Sequence, residues 1–291
     1  VRRVLVIKLG AFGDFVLALP AMAAIRAREA GARITLLTTA PYAEFARASG
    51  YVDEIVLDER PAPFDLPGLW RLRRRLAGFD MVYDLQTSSR TRRYFQLAGR
   101  PPWSGIAPGC AYPHADPARN RQHTRERLAG QLAAAGIAAL PDPDLSWARA
   151  DVARFALPAR FTLLVPGAAA GRPEKRWPAA RFAALAAALP MPAVIVGTAG
   201  NGQGIAGLDL TGRTSLRELA AVTARAAAAI GNDTGPMHLA AALNVPSTVL
   251  FSAASDPALT APRYPGGGWP QILRADRLAD LPVAQVLASL P

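Results

Sequence analysis

The sequence predicts an α/β protein built as two Rossmann-like domains facing a central cleft. Three observations predict it. Short apolar runs rich in β-branched residues alternate with amphipathic stretches of helical period along most of the chain. The first run ends in a glycine-bearing turn that leads straight into a helix. The rhythm breaks at the proline-bearing stretch 139–159 and then restarts. The 291 residues suit two domains of ~100–200 residues each, expected at residues 1–156 and 157–291.

Val4–Leu9 (VLVIKL) is the first strand, Gly10 to Gly13 its turn, and Asp14 to about Glu29 the first helix. Strands follow at Ile34–Thr38, Glu54–Leu57 and Met81–Leu85, with a short one near Ile106. Helices fall at Pro41–Ser49, Trp70–Leu76, Arg90–Ala98 and Arg121–Ala135. After the proline-bearing stretch come strand Thr162–Val165, loop Pro166–Pro178, helix Ala179–Leu189 and strand Ala193–Val196. The glycine-rich loop Gly197–Gly207 leads to a short strand, Leu208–Leu210. Helix Ser215–Ala224, strand Ala228–Ile230, helix Pro236–Leu243 and strand Thr248–Phe251 complete the second array. A last helix, Pro282–Leu290, is expected to pack back on the first half. Open α/β sheets bind ligands beyond the carboxyl ends of their strands. The loops after Leu9, Leu85, Val165, Val196 and Ile230 are therefore expected to line the cleft.

Composition narrows the function classes. With 51% apolar and 19% charged residues, the chain is an ordinary globular one. A single cysteine, Cys110, excludes an internal disulfide and any multi-cysteine metal site. Three histidines, His114, His123 and His238, leave little material for a metal cluster, so no metal is expected. The apolar opening from Val4 to Ile25 is broken by Lys8 and Asp14, which argues against a membrane span or signal peptide. A strand at the outset leaves no expected targeting segment, and a reducing, cytoplasmic setting is the default.

The net charge is +11, and residues 1–150 carry 21 Lys and Arg against 14 Asp and Glu. That excess favours an anionic partner: a phosphorylated glycan, a membrane surface or nucleic acid. An arginine-rich composition spread over a solvated surface is the bland alternative. No aromatic RNA-binding pattern or zinc-finger spacing supports nucleic acid. Only two basic residues are lysine, Lys8 and Lys175, and both fall in segments singled out on other grounds. An ammonium does things a guanidinium cannot.

Four segments carry candidate chemistry. In Gly231-Asn-Asp-Thr-Gly-Pro-Met-His238, a strand ends and a helix begins, with Asp233 or Thr234 able to cap it. A helix N-terminus offers free amides and about +0.5 charge, which attracts phosphate. His238, in the first turn, could add a hydrogen bond; a capped core helix with a satisfied histidine is the alternative. Lys8-Leu-Gly-Ala-Phe-Gly-Asp14 sits at the first strand-to-helix corner and lacks the third glycine and downstream acid of a dinucleotide fingerprint. Asp14 is either an N-cap or a general base that takes a proton from an attacking hydroxyl. Lys175 could clamp a leaving diphosphate electrostatically, or be a solvated loop cation. Arg90, Arg92 and Arg93 are placed to meet an anionic acceptor, whereas Arg71, Arg73, Arg74 and Arg75 form a solvated or membrane-facing run.

Three segments together resemble the glycosyltransferase family 9 heptosyltransferases: VLVIKLGAFGDFVLALPAMAAIR, PGAAAGRPEKRWPAARFAALA and NDTGPMHLAAALNVPSTVLF. The resemblance implies the GT-B fold and an inverting, metal-independent transfer from a nucleotide-diphosphate sugar, typically ADP-heptose, in lipopolysaccharide core assembly. It implies no cofactor besides that sugar nucleotide, and an anionic glycan or lipid-linked acceptor reached from the cytoplasm, with peripheral contact at the inner face of the membrane. By resemblance Asp14 is the base, with Gly13 beside it and Arg90, Arg92 and Arg93 toward the acceptor. Lys175, Asp233, Thr234, Gly235 and His238 hold the donor diphosphate, and Met237 lies where the nucleobase passes. The family often has Ser or Thr before the lysine, where Ala168, Ala169, Ala170 and Gly171 stand here. In the loop after Val196 its ribose-binding glutamate is replaced by Asn201 and Gln203, of which Gln203 is the donor-binding candidate. The rival readings are a sugar-nucleotide epimerase of similar architecture and a degenerate protein that binds nucleotide or glycan without turnover.

Overall fold

The computed structural model describes residues 1–62, 64–169 and 171–290; Ala170 of the alanine run lies outside them. The chain divides into two compact units, Val1–Pro143 and Asp144–Pro291. The division falls earlier than the expected 156/157, still inside the proline-bearing stretch. The reason is that residues 144–156 belong physically to the second unit. Arg154 pairs with Glu218 at 2.8 Å, Arg217 donates to the Arg149 carbonyl at 2.7 Å, and Leu145, Val152 and Phe155 are buried.

The first unit runs β1 (Arg3–Ile7), α1 (Phe12–Arg28), β2 (Arg33–Thr38), α2 (Ala40–Ala48), β3 (Glu54–Leu57), α3 (Leu66–Leu76), β4 (Met81–Asp84), α4 (Ser89–Leu97), β5 (Trp103–Gly105), β6 (Tyr112–Pro113) and α5 (Thr124–Ala134). Its six strands pair in parallel in the order β3-β2-β1-β4-β5-β6. The core between sheet and helices gathers Ile7, Leu37, Leu72, Val82, Phe95 and Trp103. Two helices start on side-chain caps: Asp65 accepts from the Gly68 amide, and Ser88 forms a capping box with Thr91. Phe12, Phe15, Tyr42 and Phe45 stack around the start of α1 and fix it against α2.

The second unit runs β7 (Thr162–Val165), α6 (Ala179–Ala188), β8 (Ala193–Ile195), β9 (Leu208–Asp209), α7 (Leu216–Thr223), β10 (Ala228–Asn232), α8 (Gly235–Ala242), β11 (Ser247–Phe251), α9 (Pro257–Thr260), β12 (Gln271–Arg274) and α10 (Val283–Leu287). Its strands are also parallel, in the order β12-β11-β10-β7-β8-β9. β7 and β10 are buried along their whole length, as central strands of a sheet covered on both faces must be.

Both sheets thus reverse their winding beside the first strand, between β1 and β4 in one unit and between β7 and β10 in the other. Those are the switch points at which open α/β sheets bind ligands. Register brings Ile7 beside Asp84 and Val165 beside Gly231, so the loops that follow open from the same place.

Several expectations are corrected. The strand expected near Ile106 is Trp103–Gly105, and β6, α9 and β12 are elements that the sequence pattern does not announce. β6 is two residues with a proline at the sheet edge, and β12 has four residues after a Gly- and Pro-rich run, so neither shows a period. The last helix, expected to pack back on the first half, has its described packing within its own unit. It lies against α6, with Leu278, Leu281 and Val286 in the second unit's core. No described helix is long and apolar enough to cross a membrane.

Candidate active site

At the first switch point, β1 is followed directly by Lys8 and Leu9, and β4 ends in Asp84. Gln86 stitches the two together: its side-chain oxygen accepts from the Leu9 amide at 2.8 Å. Lys8 is buried and donates to the Leu85 carbonyl at 3.3 Å, among the described residues a single long bond for an ammonium with three donors. Desolvation pulls its pKa below the usual lysine value, opposed by the charges of Asp14 and Asp84. Asp84 is wholly buried and accepts from the amides of Gln86 and Thr87 at 3.1 and 2.9 Å. Burial pushes its carboxyl up to about 6, against hydrogen bonds and the Lys8 charge that hold it down.

Asp14 lies half-buried in the first turn of α1. It is not the cap: Ala11 holds the N-cap position, and no side chain caps the helix. The Asp14 carboxylate makes no hydrogen bond or ion pair within the described residues, so its lone pairs are available to a ligand. Gly13 is buried one residue before it, where the uncapped first-turn amides begin. At Gly10 the backbone has φ +121°, and a Cβ would meet Tyr42 Cε2 at 2.7 Å, so glycine alone lets the turn pass under that ring.

At the second switch point, β10 ends in Asn232, and Asp233 leads into α8. Thr234 occupies the N-cap position with φ −156° and ψ 165°, but its hydroxyl makes no capping bond. The first amides of α8 therefore stay open to an anion, and Thr234 and Gly235 are partly accessible beside them. Lys175 ends a short 3₁₀ turn and donates to Asp233 Oδ2 at 2.6 Å, an oxygen that also accepts from Ser255 Oγ at 2.9 Å. His238 Nε2 stands 4.0 Å from the other carboxylate oxygen. The Lys175 loop is tied down from behind. Buried Asn232 accepts from the Trp177 amide at 3.0 Å and donates to the Pro166 carbonyl at 2.7 Å. Arg172 donates to the Ala254 carbonyl at 2.8 Å.

The structure brings together Lys175, Asp233, Thr234, Gly235 and His238, but changes what some can do. The Asp233 carboxylate is already engaged, by the Lys175 ammonium and the Ser255 hydroxyl, and stands beside the open end of α8 as a paired and not a free charge. Met237 is fully buried against Gly231, where a Cβ would meet its Sδ at 2.9 Å; its side chain is core and presents nothing to a nucleobase. Gln203 is exposed on its loop. Asn201 turns inward instead, accepting from Thr198 Oγ1 at 2.8 Å and filling the space over Gly167. An acid does stand by this loop: Asp209 of β9 lies where a Gly202 Cβ would meet its Oδ1 at 2.5 Å.

The arginine trio does not act as one cluster. Arg90 and Arg93, three residues apart, share one side of α4 and line a cavity of about 390 Å³ with Arg60. Arg92 points to a different cavity, with His114, Asp116 and Arg119. Sequence reasoning missed Gln86, Asn232 and Ser255. A polar residue at or just past the end of a central strand is the only signal for the first two.

The profile of glycosyltransferase family 9 (heptosyltransferase) matches residues 69–265, more than half of the chain. Among solved structures, the chain is similar to the Escherichia coli ADP-heptose lipopolysaccharide heptosyltransferase II, with 23% identity over 99% of this chain and 97% of that one, and a TM-score of 0.75. A glycosyl transferase family 9 protein from Veillonella parvula gives 21% identity, coverage of 99% and 95%, and a TM-score of 0.80. The E. coli heptosyltransferase WaaC with ADP gives 22%, 98% and 97%, and 0.71. No curated protein sequence matches. At such identities the structural likeness carries the fold, and the profile carries the family.

Proposed function

The chain belongs to glycosyltransferase family 9, and on that premise we propose that it moves a sugar from a nucleotide-diphosphate donor to an anionic glycan with inversion at the anomeric carbon. One observation supports this reading above the rest. The open amide end of α8 has a lysine pinned beside it at the switch point of the second sheet.

In this reading the second unit holds the donor. The α8 amides and Lys175 take the diphosphate, and their charge is best used as the glycosidic bond breaks and its electron pair passes to the diphosphate oxygen. The first unit supplies the acceptor side. Asp14 takes the proton of the acceptor hydroxyl as that oxygen bonds to the anomeric carbon. Asp233 holds Lys175 in place through the 2.6 Å contact, and Gln86 holds the backbone from which the Asp14 turn departs. The reading assigns no metal and no cofactor; the sugar nucleotide is substrate.

The similar E. coli structures are an ADP-heptose lipopolysaccharide heptosyltransferase and one solved with ADP, and their likeness supports assigning ADP-heptose as the donor and a lipopolysaccharide core as the acceptor. A nucleotide-sugar substrate fits a cytoplasmic setting, with the acceptor met at the membrane's inner face.

The test is Asp14→Asn. Transfer should fall by about 10²–10⁴-fold, the range a general base contributes, while ADP affinity measured by calorimetry stays level. Transfer retained at wild-type rate removes Asp14 as base. ADP-heptose altered with no acceptor present would point to epimerisation.

A further inference from the structure

We propose that the loop before α3 and the exposed face of α3 dock on a bilayer of anionic phospholipid. The inference concerns a surface and does not depend on the transfer reaction.

Four of the large hydrophobic side chains that stand exposed among the described residues fall within one short stretch: Leu57, Phe64, Leu66 and Trp70. Phe64 is 86% exposed, Leu66 72% and Trp70 58%. Folding gains nothing from displaying them. Within α3, Leu66 and Trp70 are four residues apart and Arg73 and Arg74 continue the same stripe, while Gly68, Leu72 and Leu76 face the core. The helix is therefore amphipathic toward its own domain and carries a second apolar patch toward solvent. Arg74 stacks on the Trp70 ring with its guanidinium carbon 4.7 Å from the centroid, which holds the indole outward.

The charge around this patch selects the partner. Nearby acids are already engaged. Glu59 pairs with Arg75 at 2.8 Å and Arg71 at 3.7 Å, Asp58 accepts from the Tyr94 hydroxyl, and Asp65 caps α3. Arg60, Arg73, Arg74, Arg90 and Arg93 have no acidic partner among the described residues. Three of them, Arg60, Arg90 and Arg93, ring the cavity between α3 and α4, whose walls include Leu72 and Leu97. An apolar tip of Phe, Leu and Trp bordered by uncompensated arginines is the pattern of a segment lying in a membrane interface. Tryptophan favours the headgroup level, and each arginine near the surface adds attraction to anionic lipid.

Flotation of the full chain with vesicles tests the proposal. Vesicles of phosphatidylcholine and phosphatidylglycerol should carry the protein, and vesicles of phosphatidylcholine alone should carry at least ~10-fold less, with added salt releasing it. The variant Phe64→Ser, Leu66→Ser, Trp70→Ser should lose at least ~10-fold in binding to the anionic vesicles, because each buried CH₂ it removes contributes to anchoring. Its ADP affinity and melting temperature should match the parent, since all three side chains are exposed. Equal binding to both vesicle types, or unaltered binding by the variant, overturns the proposal. So does a dimer in lipid-free buffer that the variant dissociates, which would make the patch an interface between copies of this chain.

Discussion

The two switch points share one strand order and differ in the sign of the charge they offer. Beside β7 and β10, the helix that follows opens with uncapped amides and a lysine, and its acid is turned away into an ion pair. Beside β1 and β4, the helix that follows carries in its first turn a carboxylate with no partner among the described residues, and the cation, Lys8, is buried. In the proposed reading one corner attracts an anion and the other offers a proton acceptor. The difference shows how little of a site belongs to the fold, since identical topology hosts opposite chemistry through two or three side chains.

The comparison can be broken most directly at its cations. Lys175→Ala should weaken ADP binding by about 10–100-fold by calorimetry, the loss expected for a charge-assisted hydrogen bond. Lys8→Met, at the matching place in the first unit, should leave ADP binding where it was. If both variants lose ADP equally, the two corners do not differ as described.

A smaller effect separates the corners by their glycines. Gly231→Ala puts a Cβ 2.5 Å from Val165 Cβ, inside the closed sheet between β10 and β7. It should cost about 2 kcal/mol in urea unfolding, as overpacking of a core does. Smaller again is Gln86→Leu, which leaves the Leu9 amide without its acceptor. About 1–2 kcal/mol of stability should be lost, with turnover falling while ADP affinity holds.

The smallest effect lies in a pH profile. Asp84 in the folded chain titrates at about 6, above its ordinary 3.8, so the folded state holds the proton more tightly than the unfolded chain. Its contribution to stability is full below the ordinary value and is lost as pH rises through the folded one. The melting temperature of the parent relative to Asp84→Asn should therefore fall between about pH 4 and pH 7 and then level off. A flat difference would place Asp84 in a wetter setting than the structure gives it.

Much of this architecture was legible in the amino-acid order. Val4–Ile7 and Ala228–Ile230 are short apolar runs ending at turn residues, and such runs declare themselves as central strands. Asp14 and Thr234 stand out in the sequence because each sits where a strand has ended and a helix begins, and Lys175 because it is one of only two lysines. What escaped was whatever depends on direction. Met237 reads as part of a ligand loop, yet its side chain points into the core. Arg90, Arg92 and Arg93 read as one trio, yet helical spacing sends the middle one elsewhere. Gln86 and Asn232 work through bonds to residues 77 and 55 positions away, which no local window contains.

The Asn232 amide group has a consequence for kinetics. By gripping the Trp177 and Pro166 backbones at once, it ties down both ends of the loop that carries Lys175, and in the proposed reading it does so before a nucleotide arrives. Pre-organisation of this kind spares the encounter a loop-ordering step, so association should run at the pace of diffusion and charge steering, and differences in affinity between donors should be written in how fast they leave.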